Sequence, residues 1–360
     1  MRNAYAVILA GGKGERFWPL STSRKPKQML SLTGGKPLVT MAVDRLKGLI
    51  PPSRIFVITS AGLVKAVRKA VPSLPAGNVV GEPFGRDTAA AVALGSALVH
   101  KRDPKGVFAV LTADHVIGNI ALFQRTLRRC CEVAEKLDAL ITIGITPANP
   151  STGFGYIETA GVEKTCGGVE FLRGRRFVEK PDRKTAEAYI VSGSYLWNSG
   201  MFIWSVETIQ NAMALHAPAL FKMARRMESA IGTRDFGKRL AAEYARLEKI
   251  SVDYAVMEKS KNILVACGRF AWDDVGSWAA LANHFKTNKY GNITVGMCES
   301  VESSGNIVMS DLRLTGLVGV KDLIVVQADG ATLVCSRDKA QDVKKLIALL
   351  RKKRRYEDLL

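Results

Sequence analysis

The chain has 360 residues, of which 47% are hydrophobic and 24% charged, and it carries a formal charge of +19. That length predicts one large domain with a smaller appendage, and the composition excludes a largely disordered protein. No apolar run approaches the roughly 20 residues a membrane span needs, so no membrane partner is expected. The short run 4–10 leads into Gly11-Gly12-Lys13-Gly14 without a small-x-small cleavage site, and it reads as a buried strand of a cytoplasmic protein.

The six cysteines contain no C-x-x-C pair, and Cys130 and Cys131 read as reduced thiols in a helix core. The four histidines, at 100, 115, 216 and 284, show no H-x-x-x-H spacing, which argues against a histidine-held metal. The basic residues are spread along the chain. Only Arg351-Lys352-Lys353-Arg354-Arg355 forms a tight run, and it lacks the interleaved aromatics that stack single-stranded bases. No nucleic-acid partner is therefore expected.

In chain order, β-branched runs at 5–10, 55–59, 78–80, 107–112 and 140–145 predict strands, and 38–49, 63–71, 88–100 and 123–136 have helical spacing. This alternation predicts an α/β fold with a mixed, mainly parallel sheet flanked by helices, whose ligands bind beyond the carboxyl ends of the strands. From about residue 153 the pattern turns β-rich, with strands at 154–158, 169–179 and 200–204 and helical stretches between 206 and 247. Gly291-Asn292-Ile293-Thr294 and Gly305-Asn306-Ile307-Val308 echo one another, strands follow at 323–327 and 332–335, and 338–353 reads as a basic amphipathic helix. The expected organisation is a catalytic domain over 1–287 and a β-coil with a terminal helix, serving assembly, over 288–360.

After the first strand comes Leu9-Ala10-Gly11-Gly12-Lys13-Gly14-Glu15-Arg16-Phe17-Trp18-Pro19-Leu20, then Lys25-Pro26-Lys27-Gln28. A glycine-rich turn lets backbone N–H groups approach phosphate oxygens, and Arg16, Lys25 and Lys27 can neutralise a triphosphate. The dinucleotide fingerprint fails because Phe17 stands where glycine or alanine is needed, and the Walker spacing fails at Arg16.

The string resembles the signature of the sugar-nucleotide pyrophosphorylases. Further blocks follow in order: Glu82-Pro83-Phe84-Gly85-Arg86-Asp87-Thr88-Ala89-Ala90-Ala91, Ala113-Asp114-His115, Gly153-Phe154-Gly155-Tyr156, Phe177-Val178-Glu179-Lys180-Pro181, Trp197-Asn198-Ser199-Gly200, Ser251-Val252-Asp253-Tyr254 and Trp272-Asp273-Asp274-Val275-Gly276. Together they resemble the bacterial mannose-1-phosphate guanylyltransferases from residue 4 to about 335. The resemblance implies a Rossmann-like nucleotidyltransferase fold, a C-terminal domain like a left-handed β-helix, a homodimer, and transfer of GMP from GTP to mannose 1-phosphate with Mg2+.

By that resemblance Leu9, Ala10, Gly11, Gly12, Gly14, Arg16, Lys27, Glu82, Arg86, Asp87, Thr88 and Asp114 would hold the nucleotide. Gly155, Glu179, Lys180 and Asn198 would hold the sugar phosphate. Asp114 and Asp274 would hold the metal, and Arg16, Lys27, Asp114, Lys180 and Asp274 would carry catalysis. His115 is assigned no catalytic role, since a phosphate monoester is already ionised. Asp87 and Ala90 replace the asparagine and proline usual in their block, which puts the role of Asp87 in question. Longer members of the family carry an isomerase domain beyond this point, so a single activity is expected. A sister enzyme using glucose 1-phosphate, and a catalytically silent regulatory subunit, are the competing readings; Arg16, Asp114 and Asp274 argue against the second.

Overall fold

Strands and helices fall where the apolar periodicity places most of them. The computed structural model describes residues 3–360 apart from 13, 33, 34 and 329; of residues 311 and 312 it describes the backbone alone. Its strands are β1 (Ala4–Ala10), β2 (Ile55–Ser60), β3 (Val79–Glu82), β4 (Val107–Thr112), β5 (Val116–Ile117), β6 (Leu140–Ile145), β7 (Gly155–Cys166) and β8 (Val169–Glu179). They continue with β9 (Tyr195–Ser205), β10 (Ile263–Gly268), β11 (Trp272–Asp273), β12 (Ile293–Val301), β13 (Ile307–Val318), β14 (Leu323–Ala328) and β15 (Ala331–Ser336). Among the described residues no helix is long and apolar enough to cross a membrane.

Contact density divides the chain into two compact units, and neither is a single stretch of sequence. The first comprises residues 1–11, 42–113 and 117–272. Its nine-stranded sheet runs β3-β2-β1-β4-β9-β6-β10-β8-β7. The β3-β2-β1-β4 half is parallel, as is β6 with β10, whereas β9 runs antiparallel to both β4 and β6. Six of the seven residues of β1 are buried. A strand covered on both faces loses the alternation of a half-exposed one, so it reads as a continuous apolar run.

The second unit comprises residues 12–41, 114–116 and 273–360. Strands β12, β13 and β14 are parallel and β15 returns antiparallel. The two echoed motifs lie in register, Ile293 opposite Ile307, and the Asn306 amide donates to Asn292 Oδ1 at 3.0 Å. A third turn follows seventeen residues on, where Ile324 lies opposite Ile307 and the Leu323 N–H donates to Asn306 Oδ1 at 2.9 Å. Asp322, at φ 52°, takes the left-handed position that Gly291 and Gly305 occupy in the first two turns. The coil therefore has three rungs, with the third disguised by its aspartate.

One core joins the early and late segments of this unit: Phe17, Trp18, Leu30 and Leu38 pack with Trp278, Ile307, Ile324, Val343 and Ile347. This differs from a single cut at 287/288, because residues 12–41 share their buried surface with the C-terminal residues. The terminal helix is also shorter than the spacing indicates, a 3-10 turn at Arg337–Asp342 preceding the α-helix Val343–Leu350. Likewise the helix expected over 38–49 ends at Asp44 and gives way to turns.

Candidate active site

The glycine-rich turn enters the second unit at Gly12, which is exposed and has open space around its Cβ position; Lys13 lies outside the described residues. Gly14 sits at φ 62°, and a Cβ there would come within 2.3 Å of Lys27 Cβ. Both the left-handed backbone and the close approach demand glycine. The Gly14 carbonyl accepts from the Phe17 N–H at 2.9 Å, so the chain turns at once into the short helix Glu15–Phe17. Phe17 packs edge-to-face on Trp278, its ring centre 5.0 Å away, which fixes the turn from below.

Arg16 and Lys27 then converge with two aspartates from distant parts of the chain. Lys27 is buried, and its ammonium donates to Asp114 Oδ2 at 2.9 Å and to the main-chain carbonyl of Asp274 at 2.5 Å. Arg16 Nη1 reaches the Gly276 carbonyl at 3.4 Å, while its Nε is buried with no hydrogen-bond partner among the described residues. A buried donor without an acceptor is costly unless an anion meets it. Gly14, Arg16, Lys27, Asp114 and Asp274 all line one cavity of about 310 Å³.

The two aspartates titrate in opposite senses. Burial disfavours the ionised form of Asp114, but Lys27 and then His115 outweigh it and hold the carboxyl below its usual range. For Asp274 burial is again the largest influence; Lys27 opposes it, but the neighbouring Asp273 and Asp114 reinforce it, and the carboxyl is pushed up. The Asp274 turn is held hard: Val275 takes φ 45°, rare for a β-branched residue, and Asp273 binds both the Val275 N–H at 2.7 Å and His284 Nε2 at 2.9 Å. Among the described residues no cluster of three or more His, Cys, Asp or Glu forms a complete ligand set. Asp114 and Asp274 offer carboxylate oxygens of the kind a hard cation takes, the second raised first by burial and then by its acidic neighbours.

In the first unit β1 delivers Leu9, Ala10 and Gly11 at its carboxyl end. The Leu9 carbonyl accepts from the Ala113 N–H at 3.0 Å, and the Ala10 carbonyl from the Thr59 hydroxyl at 2.9 Å. A Cβ on Gly11 would lie 3.3 Å from Glu82 Oε2, so the buried Glu82 carboxyl faces this backbone directly. Burial pushes Glu82 up to about 7, against a hydrogen bond from the Tyr244 hydroxyl at 3.1 Å and with help from Asp87.

Arg86 donates to the carbonyls of Tyr244 and Ala245, at 2.9 and 3.3 Å. Thr88 accepts from the Val252 N–H at 2.9 Å. Asp87, at φ 67°, accepts the N–H of Thr88 at 2.8 Å. An asparagine oxygen would accept equally well, so this turn does not need the charge of Asp87.

The same unit gathers the second predicted group. A Cβ on Gly155 would stand 2.5 Å from Glu179 Oε2, so the Glu179 carboxylate would have to shift to admit it, and 3.6 Å from Asn198 Cβ, an ordinary contact. Lys180, at φ 47°, is exposed and pairs with Glu179. The Asn198 amide donates to Asp253 Oδ1 at 2.7 Å while its oxygen accepts from the Gly200 N–H at 3.2 Å. Burial, reinforced by Glu179, raises Asp253, and burial with Asp253 and Glu179 raises Glu258. Sequence reasoning assigned no role to Asp253, Tyr244 or His284. The Ser251-Val252-Asp253-Tyr254 block was the signal for the first, and nothing local marked the other two.

A profile described as nucleotidyl transferase matches residues 5–289, and one described as MannoseP isomerase/GMP-like beta-helix domain matches 298–350. The chain is 35% identical over 356 residues to a mannose-1-phosphate guanylyltransferase of Klebsiella pneumoniae, covering 98% of this chain and 74% of that one. It is 34% identical to the enzyme of the same name from Salmonella montevideo, covering 98% and 75%. A crystal structure described as mannose-1-phosphate geranyltransferase from Thermus thermophilus superposes with a TM-score of 0.86 at 34% identity, covering 97% of this chain and 99% of that one. The chain belongs to the nucleotidyl transferase family of enzymes and, within it, to the branch of the bacterial mannose-1-phosphate guanylyltransferases.

Proposed function

We propose that this enzyme transfers GMP from GTP to mannose 1-phosphate and releases pyrophosphate. The observation that carries the reading is the convergence of Arg16 and Lys27 with Asp114 and Asp274 on one cavity, joined to the names of the relatives. An oxygen of the sugar phosphate attacks the α-phosphorus, the new P–O bond forms, and the α–β bridging bond breaks in line so that pyrophosphate leaves. Both reactants are anions, so positioning and charge neutralisation supply most of the acceleration.

In this reading Arg16 meets the triphosphate through the Nε that has no partner within the described residues, and Gly11, Gly12 and Gly14 let backbone N–H groups approach it. Lys27 keeps Asp114 ionised. Asp114 and Asp274 hold Mg2+, which when bound neutralises and polarises the α-phosphate. Leu9, Ala10, Glu82, Arg86, Asp87 and Thr88 frame the nucleoside end. Lys180 holds the phosphate of the sugar, and Gly155, Glu179 and Asn198 accept and donate to its hydroxyls. Asp253 supports the last group by fixing the Asn198 amide. No general base is needed, so His115 is given no catalytic role; its charge helps to keep Asp114 ionised.

The test is a panel of nucleoside triphosphates and hexose 1-phosphates with magnesium, with pyrophosphate release measured for each pair. GTP with mannose 1-phosphate should give the highest kcat/KM. A preference for glucose 1-phosphate with UTP or dTTP would overturn the assignment and leave the family intact.

A further inference from the structure

We propose that Tyr244 is a positioning residue for selection of the base: through its hydroxyl it aims the Glu82 carboxyl at a purine edge with adjacent N–H donors, as guanine has and adenine lacks. The inference rests on the function proposed above, which sets Glu82 at the nucleoside end. Every residue it uses lies in the first unit.

The loop that follows β3 is moulded on the end of the helix Phe236–Ala245. Arg86 donates from Nε to the Tyr244 carbonyl at 2.9 Å and from Nη2 to the Ala245 carbonyl at 3.3 Å, supplying donors where a helix end lacks its own. Further along, the Ile250 N–H donates to the Arg86 carbonyl at 3.3 Å, and the Ile250 carbonyl accepts from the Ala89 N–H at 3.2 Å. Phe84 packs edge-to-face on the Tyr244 ring with centroids 6.3 Å apart, and the Arg86 guanidinium stands over the Phe84 ring. The loop thus holds Tyr244 by its backbone and by its ring, while the hydroxyl reaches Glu82.

Both partners of that contact are buried. The hydroxyl donates to Glu82 Oε1 at 3.1 Å, and among the described residues this is the one hydrogen bond of the Glu82 carboxyl. Oε2 faces Gly11, which is exposed and follows directly on the carboxyl end of β1; a side chain there would press on the carboxyl. Burial pushes Glu82 up to about 7, the Tyr244 hydroxyl opposes the rise and Asp87 adds to it. The bond that orients the carboxyl therefore also favours its ionised form, which accepts hydrogen bonds at both oxygens and donates none. A carboxylate held in this way pairs with the ring N–H and the amino group of guanine. It meets a ring acceptor beside the amino group of adenine.

The experiment measures binding of GTP and ATP with magnesium to the whole chain by calorimetry, with no sugar phosphate present. Tyr244→Phe keeps the ring and the backbone carbonyl and removes the hydroxyl alone. It should weaken GTP binding roughly tenfold and change ATP binding by less than about twofold. Glu82→Gln should lose the same preference, and the double variant should be no worse than Glu82→Gln, because Tyr244 acts through that carboxyl. A structural defect would instead weaken both nucleotides alike. An unchanged GTP-to-ATP ratio in either single variant, equal losses for the two nucleotides, or additive losses in the double variant would overturn the inference. A chain whose preference for GTP depends on Tyr244 but which makes no GDP-mannose would sink the proposed function alone. Guanylyltransfer by wild type together with an unchanged ratio in Tyr244→Phe would sink the role of Tyr244 alone.

Discussion

Lys27 binds the carboxylate of Asp114 at 2.9 Å and the main-chain carbonyl of Asp274 at 2.5 Å, so one buried ammonium joins two aspartates 160 residues apart. It stabilises the charge of the first and only partly offsets the crowding of the second, whose carboxyl is raised by burial and by Asp273 and Asp114.

Opposite stability effects follow from isosteric changes at the two positions. Asp114→Asn leaves the Lys27 ammonium buried beside a neutral amide and should lower stability by about 1–3 kcal/mol. Asp274→Asn removes a disfavoured charge and should leave the melting temperature unchanged or raise it. Thermal denaturation at neutral pH checks both, and a similar loss in each variant would refute the division of labour.

The two substrates should separate kinetically. Arg16→Ala should chiefly damage use of GTP, and Lys180→Ala should chiefly raise KM for mannose 1-phosphate, each by roughly tenfold or more. Steady-state kinetics with each substrate varied in turn gives the answer. The reverse pattern would mean that the subsites are exchanged.

Glu82 makes stability depend on pH. Its carboxyl is raised from 4.5 to about 7, first by burial, so between those values the folded protein keeps a proton that the unfolded chain releases. Stability from this group therefore falls as pH rises through that window, by on the order of 3 kcal/mol in full above pH 7. Glu82→Gln should melt above wild type at pH 8, and the gap should close towards pH 4.5. A gap independent of pH would show that Glu82 ionises normally.

Much of this was legible in the sequence because it is local. The strands that became β1, β2, β4 and β6 are apolar runs between glycines and polar turns, and Gly14, Arg16 and Lys27 stand in one string. What escaped depends on distance. Residues 12–41 belong with the C-terminal unit because Phe17 and Leu30 share a core with Trp278 and Ile347, a pairing that no local pattern marks. The third rung escaped because Asp322 replaces glycine and Leu323 stands where Asn292 and Asn306 stand in the earlier motifs.

The most direct test is pyrophosphate release from GTP and mannose 1-phosphate by Asp114→Asn and Asp274→Asn across a magnesium titration. Each change keeps the size of the side chain but removes a charge that the proposed function assigns to holding the cation, and on that proposal turnover at saturating magnesium should fall by roughly a hundredfold or more. If the two act as one proposed metal site, the double variant should be scarcely worse than the poorer single one. Near-normal turnover in either single variant at saturating magnesium would remove that aspartate from the metal site and contradict the mechanism.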